Sequence, residues 1–152
     1  MPSITYESIY KRALMRINDL DLANYTQDDF YDYLREWLHT ASSSTLLRQK
    51  FTDFSLDDEI MIVNFELKNS VDENYDIEFV TSILAKGVII NYFPSKLENT
   101  ANLAVMIGGK EEKKLLGNYD KNVERLQKLE RDFEREISRH GYYFGVNGGN
   151  NG

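Results

Sequence analysis

The stretch Asp76-Ile77-Glu78-Phe79-Val80-Thr81-Ser82-Ile83-Leu84-Ala85-Lys86-Gly87-Val88-Ile89-Ile90-Asn91-Tyr92-Phe93 decides how the rest of the chain is read. Ile77, Val80, Leu84, Gly87 and Val88 recur by threes and fours, so they share one face of a helix. Asn91, next in that register, turns the stripe polar. Phe79, Ile83, Ile90 and Tyr92 add apolar surface on other faces, more than a helix with one solvated side needs. Such an excess predicts contact on several faces, either inside the fold or against a neighbouring subunit. Gly87 costs a mid-helix position about 0.8–1 kcal/mol relative to Ala, which close backbone packing would offset. Pro94 is expected to end the helix, because the residue before a proline resists helical dihedrals.

Upstream, Ile9, Ala13, Leu14 and Ile17, with Tyr6 and Tyr10 alongside, predict a helix over about 5–20. A second helix follows. Thr26 is its expected N-cap, Asp28 and Asp29 lie in its first turn, and Phe30, Tyr33, Leu34, Trp37, Leu38 and Ala41 form its apolar face. Ser42-Ser43-Ser44 is its expected stop. Between these helices and Asp76, Val63, Phe65 and Leu67 alternate with polar neighbours, the period of a strand. A short β-hairpin or ribbon is expected, with Phe51–Phe54 and Ile62–Leu67 as arms, although Glu59-Ile60-Met61-Ile62 reads equally well as helix.

Downstream, Glu98 to Ile107 predicts a short helix broken by Gly108-Gly109, and charged Lys110 to Gly117 a surface connection. Val123, Leu126, Leu129, Phe133 and Ile137 mark a last helix ending near His140, with Gly141 at C′. His140, in the last turn, is expected as a cation or capping donor. Tyr142-Tyr143-Phe144-Gly145-Val146 and a Gly/Asn-rich end form a tail. The fold class is therefore mainly α: about four to five helices in a bundle, a short β-hairpin in the middle and an extended C-terminal tail.

Composition narrows the chemistry. The 152 residues carry 18 Lys+Arg against 25 Asp+Glu, a formal charge of −7, which gives no electrostatic grip for sequence-specific DNA binding. There is no cysteine, so thiol catalysis and Cys zinc sites are excluded. The two histidines, His39 and His140, do not make a metal-ligand pattern, and no cofactor or metal is expected. Asp28, Asp29, Asp32 and Glu36 read as a solvated helix start. His39, beside Trp37 and Leu38, reads as a rim or interface histidine. Gly108-Gly109-Lys110 lacks the first glycine and the Ser/Thr of a phosphate loop. The chain opens without a basic head or apolar run, and its apolar stretches are too short to span a bilayer, so neither a signal peptide nor a membrane partner is expected. Residues 1–80 hold 7 basic and 16 acidic side chains, and residues 81–152 hold 11 and 9. That asymmetry suits head-to-tail self-association or ordinary solvated faces. On these counts an assembly or binding role is expected and an enzyme is not.

The order of elements carries a resemblance. Tyr75-Asp76-Ile77-Glu78, then Ile83 through Leu97, Asn102-Leu103, Ile107-Gly108-Gly109-Lys110 and the ending Arg139-His140-Gly141-Tyr142-Tyr143 together resemble neck proteins of tailed bacteriophages of low-GC Gram-positive bacteria. These are the head–tail connector or adaptor subunits. The likeness spans about residues 51–143. It implies a connector-like domain over 1–141 with a hairpin inserted at about 46–68, and a tail over 142–152. It also implies a virion ring subunit, twelve-fold where the adaptor pattern holds, assembled in the host cytoplasm. Its partners would be further copies of itself, the portal protein and the next neck or tail component, with DNA passing through unread. Tyr142, Tyr143, Phe144 and Val146 are the implied portal-docking residues, and Phe51, Phe54 and Phe65 a hairpin interface. Other readings are a tail terminator, stopper or capsid-associated protein, or a cellular helical interaction module.

Overall fold

The computed structural model describes residues 1–17 and 27–141, with backbone alone at 27, 28, 94–105, 107 and 115. The elements run β1 (Ser3–Thr5), α1 (Tyr6–Arg16), α2 (Gln27–Ser42), α3 (Thr45–Arg48), β2 (Phe51–Asp57), β3 (Ile62–Leu67), α4 (Glu73–Ile107) and α5 (Gly109–Arg139). The architecture is mainly α with a small antiparallel sheet of order β1-β3-β2, as the periodicities predict.

α4 is the organising element. Val80, Ile83, Leu84, Val88, Ile89, Tyr92 and Phe93 are all buried, and the helix packs against α1, α2 and α5. The apolar excess on several faces is therefore used inside the fold. A Cβ on Gly87 would lie closer than 3.0 Å to the Cβ of Ala41, so the glycine is where α2 and α4 approach most tightly. Around them Ile9, Leu34, Leu38, Leu47, Val63, Phe65 and Ile137 close one buried cluster.

Four expectations are corrected. Pro94 does not end the helix: α4 continues to Ile107. Proline removes one backbone donor, a local loss, and α5 runs back along α4 in the most extensive helix pairing of the fold. The separate helix from Glu98 is thus the second half of α4, stopped where Gly108 and Gly109 take φ of 70° and 66°. Lys110 to Gly117 is the start of α5. Lys, Glu and Leu are good helix formers, and a run of exposed charges does not distinguish a loop from a solvated helix. α1 stops at Arg16, with Ile17 as its C-cap, four residues short of the expected end. Thr26 lies outside the described residues.

The hairpin arms stand where the alternation puts them, with β2 extended to Asp57. Glu59–Met61 forms the turn: Asp57 Oδ1 accepts from the amides of Glu59 and Ile60 at 3.1 and 3.3 Å, and Met61 sits at φ 55°. Two short elements, β1 and α3, were not legible. β1 pairs Ile4 with Val63 over a length too short to show a period. Ser44, at the end of the expected serine stop, caps α3 by accepting from the Leu47 amide at 3.3 Å.

Candidate functional site

Three places concentrate the polar and aromatic side chains that are not simply core. The first is where the hairpin turn meets α1 and α2. Thr5 caps α1 by accepting from the Ser8 amide at 3.2 Å, which sets Tyr6 at the helix start facing the turn. The Tyr6 hydroxyl donates to Asp58 Oδ1 at 2.6 Å, and His39 Nε2 lies 2.8 Å from the same oxygen. The Tyr6 amide donates to the Met61 carbonyl at 2.9 Å. Hydrogen bonds from Tyr6 and then His39 hold the Asp58 carboxyl below its ordinary range. Burial, then the bond to Asp58, pushes the Tyr6 phenol well above its own. The pair is therefore locked as carboxylate and phenol near neutrality, and the arrangement clamps the turn onto two helices.

Beside this clamp lies an open cleft of about 600 Å3, lined among others by Tyr10, Tyr31, Asp32, Arg35, Ile60 and Met61. The rings of Tyr10 and Tyr31 are 6.3 Å apart. The Tyr10 hydroxyl is buried with no hydrogen-bond partner among the described residues, and burial, opposed by Arg35, raises its phenol pKa.

The second place is the root of the tail. His140 caps α5 and stacks on Phe79, with centroids 4.0 Å apart and planes 15° from parallel. Tyr75 lies beyond, at 6.4 Å. The His140 backbone carbonyl accepts from Lys50 Nζ at 3.1 Å, while its ring atom Nε2 is buried with no hydrogen-bond partner among the described residues. Burial first, and Lys50 second, lower the imidazole pKa from its ordinary 6.5. Of the two expected roles, His140 takes that of capping donor, its backbone N–H donating to the Glu136 and Ile137 carbonyls, and its ring is neutral and stacked rather than a cation. The macrodipole term of about 0.3–1 kcal/mol for an exposed cation loses here to desolvation. Gly141 follows at φ 79°, and a Cβ there would lie closer than 3.0 Å to Asn69 Nδ2, so only glycine fits the exit. Nearby, buried Asp76 accepts from Ser70 Oγ at 2.5 Å and the Val71 amide at 3.1 Å, fixing the start of α4. Lys86 pairs with Glu136. The end of α5 is thus tied to Lys50, just ahead of β2, and to α4 by Phe79.

The third place is the far half of the α4–α5 hairpin. At a rise of about 1.5 Å per residue, the 35 residues of α4 span about 52 Å, roughly twice the 16-residue α2. Among the described side chains, the hydrophobic residues of α5 that join or pack on the buried cluster begin at Leu126, with the Arg125 guanidinium over the Phe93 ring just before it. Met106 and Leu116 are exposed there.

Of the residues singled out in the sequence, Phe51 and Phe65 are buried in the core, ring centroids 6.1 Å apart. Phe54 is partly buried at 4.8 Å from Phe51, and the Arg48 guanidinium sits 4.3 Å over its ring. Tyr142, Tyr143, Phe144 and Val146 lie outside the described residues. His39 is on the rim, as expected, but its tie to Asp58 and Tyr6 was missed. Acids in a hairpin turn are common, and nothing local marks which helix they will meet. Among the described residues, no group of three His, Asp or Glu could hold a metal ion, and no helix is long and apolar enough to cross a membrane.

No family model, curated protein or solved structure matches this chain.

Proposed function

We propose that the chain is a structural subunit of a ring at the head–tail junction of a tailed bacteriophage, part of the virion neck and assembled in the host cytoplasm. It would seat on the portal, extend the DNA channel and present a face to the next neck or tail protein. The observation that carries this reading is the α4–α5 hairpin. Among the described side chains its turn end exposes Met106 and Leu116, outside the buried cluster, and in this reading that end is the helical surface offered to neighbours. The resemblance across residues 51–143 supports the same reading. So does the net charge of −7, since like charge keeps a passing duplex from sticking to a channel wall.

In this reading the aromatic tail reaches the portal. Ahead of it His140 is tied down, stacking on Phe79 and accepting from Lys50, and in this reading Tyr142, Tyr143, Phe144 and Val146 make the contact. Each buried aromatic ring would remove about 150–250 Å2 of surface. A chain truncated after Gly141 should fold as the full chain does, by circular dichroism and melting, and lose co-purification with the portal. Normal portal attachment by the truncated chain overturns the tail's role. Virions in which the chain cannot be detected at the neck overturn the reading as a whole.

A further inference from the structure

The exposed start of α5 and the cleft between α1, α2 and the hairpin turn are complementary. On the cleft, Tyr31, Ile60 and Met61 are 44, 62 and 40% exposed, a cluster of apolar surface with no cover from the described part of the chain. Two carboxylates, Glu7 and Asp32, and one guanidinium, Arg35, line it. At the start of α5 the signs are reversed. Lys110, Lys113 and Leu116 follow one another at spacings of three and surround a shallow hollow with Glu112. Leu116 is 41% exposed. Two bases, one acid and an apolar centre therefore match two acids, one base and an apolar centre.

We propose that this cleft receives the α4–α5 turn of a second copy of the chain, with Leu116 against Tyr31, Ile60 and Met61, and Lys110 and Lys113 against Glu7 and Asp32. Glu112 then faces Arg35. The acids already have partners on their own helices, Lys11 to Glu7 at 3.3 Å and Arg35 to Asp32 at 3.2 Å. Both pairs are exposed, where such bonds are weak, so sharing them with a second copy costs little. The contact joins two different patches of one chain, so each copy keeps a free cleft or a free turn after pairing. Repetition of such a heterologous contact closes into a ring when the rotation permits. The excess of acid in residues 1–80 over residues 81–152 acquires a location in this contact. The inference rests on the ring reading and adds the surfaces by which copies meet.

The absence of cysteine makes the test direct. Full-length Met61→Cys and Leu116→Cys chains are mixed at high concentration, oxidised, and the products mapped by mass spectrometry. The mixture should give a 61–116 disulfide between chains, and the double variant a ladder of multimers. Met15→Cys, exposed on α1 and not among the residues lining the cleft, should give no more than background with Leu116→Cys. Reversing the cleft with Glu7→Lys and Asp32→Lys should lower the yield about tenfold, and adding Lys110→Glu and Lys113→Glu should restore it. A 61–116 yield no higher than the Met15 control, or one indifferent to the charge reversals, overturns the proposal. Particles that hold the chain at the neck but give no 61–116 crosslink would remove this contact and leave the ring reading in place. A 61–116 crosslink from a chain absent from particles would do the reverse.

Discussion

Substituting Gly87 tests the central packing contact. Gly87→Ala in an exposed helix would stabilise the protein by about 0.8–1 kcal/mol through helix propensity. Here the new methyl would lie closer than 3.0 Å to the Cβ of Ala41, an atom attached directly to the α2 backbone, and 3.5 Å from Phe133 Cε2. A flexible side chain could swing away, but Ala41 can yield only if α2 moves as a body. Overpacking of this kind costs about 1–3 kcal/mol. The net expectation is a loss of about 0–2 kcal/mol, or a lower melting temperature by up to ~8 °C at ~2–4 °C per kcal/mol for a chain of this size. The decisive measurement is a double-mutant cycle with Ala41→Gly, by urea unfolding monitored by circular dichroism. With the Ala41 methyl gone, the same Gly87→Ala change should become stabilising by about 0.8–1 kcal/mol. The coupling between the sites should then be about 1–3 kcal/mol. Coupling below about 0.5 kcal/mol, the error of simple additivity, would refute the close approach of α2 and α4, and with it the account of why a glycine stands in mid-helix.

Three further outcomes are expected. Phe65→Ala should cost about 3–5 kcal/mol because the ring is fully buried. Phe54→Ala, partly buried beneath Arg48, should cost far less in chemical unfolding, and equal losses would contradict the burial described. His140 has its pKa lowered in the folded state, so below its ordinary 6.5 the unfolded chain takes up the proton more readily. Stability should fall as pH drops beneath that value, and His140→Phe, which keeps the stack on Phe79, should flatten the dependence in thermal melts; an unchanged slope would count against it. Asp58 has its pKa lowered mainly by Tyr6, so its contribution is present above the ordinary aspartate value of 3.8 and is lost as pH falls through the folded value. Tyr6→Phe should reduce that acid-side loss, and identical acid titrations of the two proteins would show that the hydrogen bond does not hold the carboxylate.

The elements with a strong period were legible from the chain alone. α2, the first half of α4, the later part of α5, the strands β2 and β3 and the Gly141 stop follow from spacing and turn chemistry. These depend on neighbours three, four or two residues away, and such neighbours are visible in a line of letters. The unbroken run of α4 through Pro94, the helical start of α5 and the neutral state of His140 were not legible. The first and last are decided by something remote: an antiparallel helix that holds a segment proline would otherwise interrupt, and an aromatic ring from α4 that desolvates an imidazole at the end of α5; the start of α5 was missed because a run of exposed charges reads alike in a loop and in a solvated helix. The same holds for the candidate docking surfaces. Composition and charge order suit self-association or ordinary solvated faces alike and show no location, because Glu7, Asp32 and Met61 come together only when α1, α2 and the hairpin turn converge. Local backbone preference and hydrophobic period thus set which segments are helix or strand. The places where helices outlast their own signals, and where charges and rings meet to form a surface, were decided by tertiary packing, because burial and Coulomb interactions act through space and not along the chain.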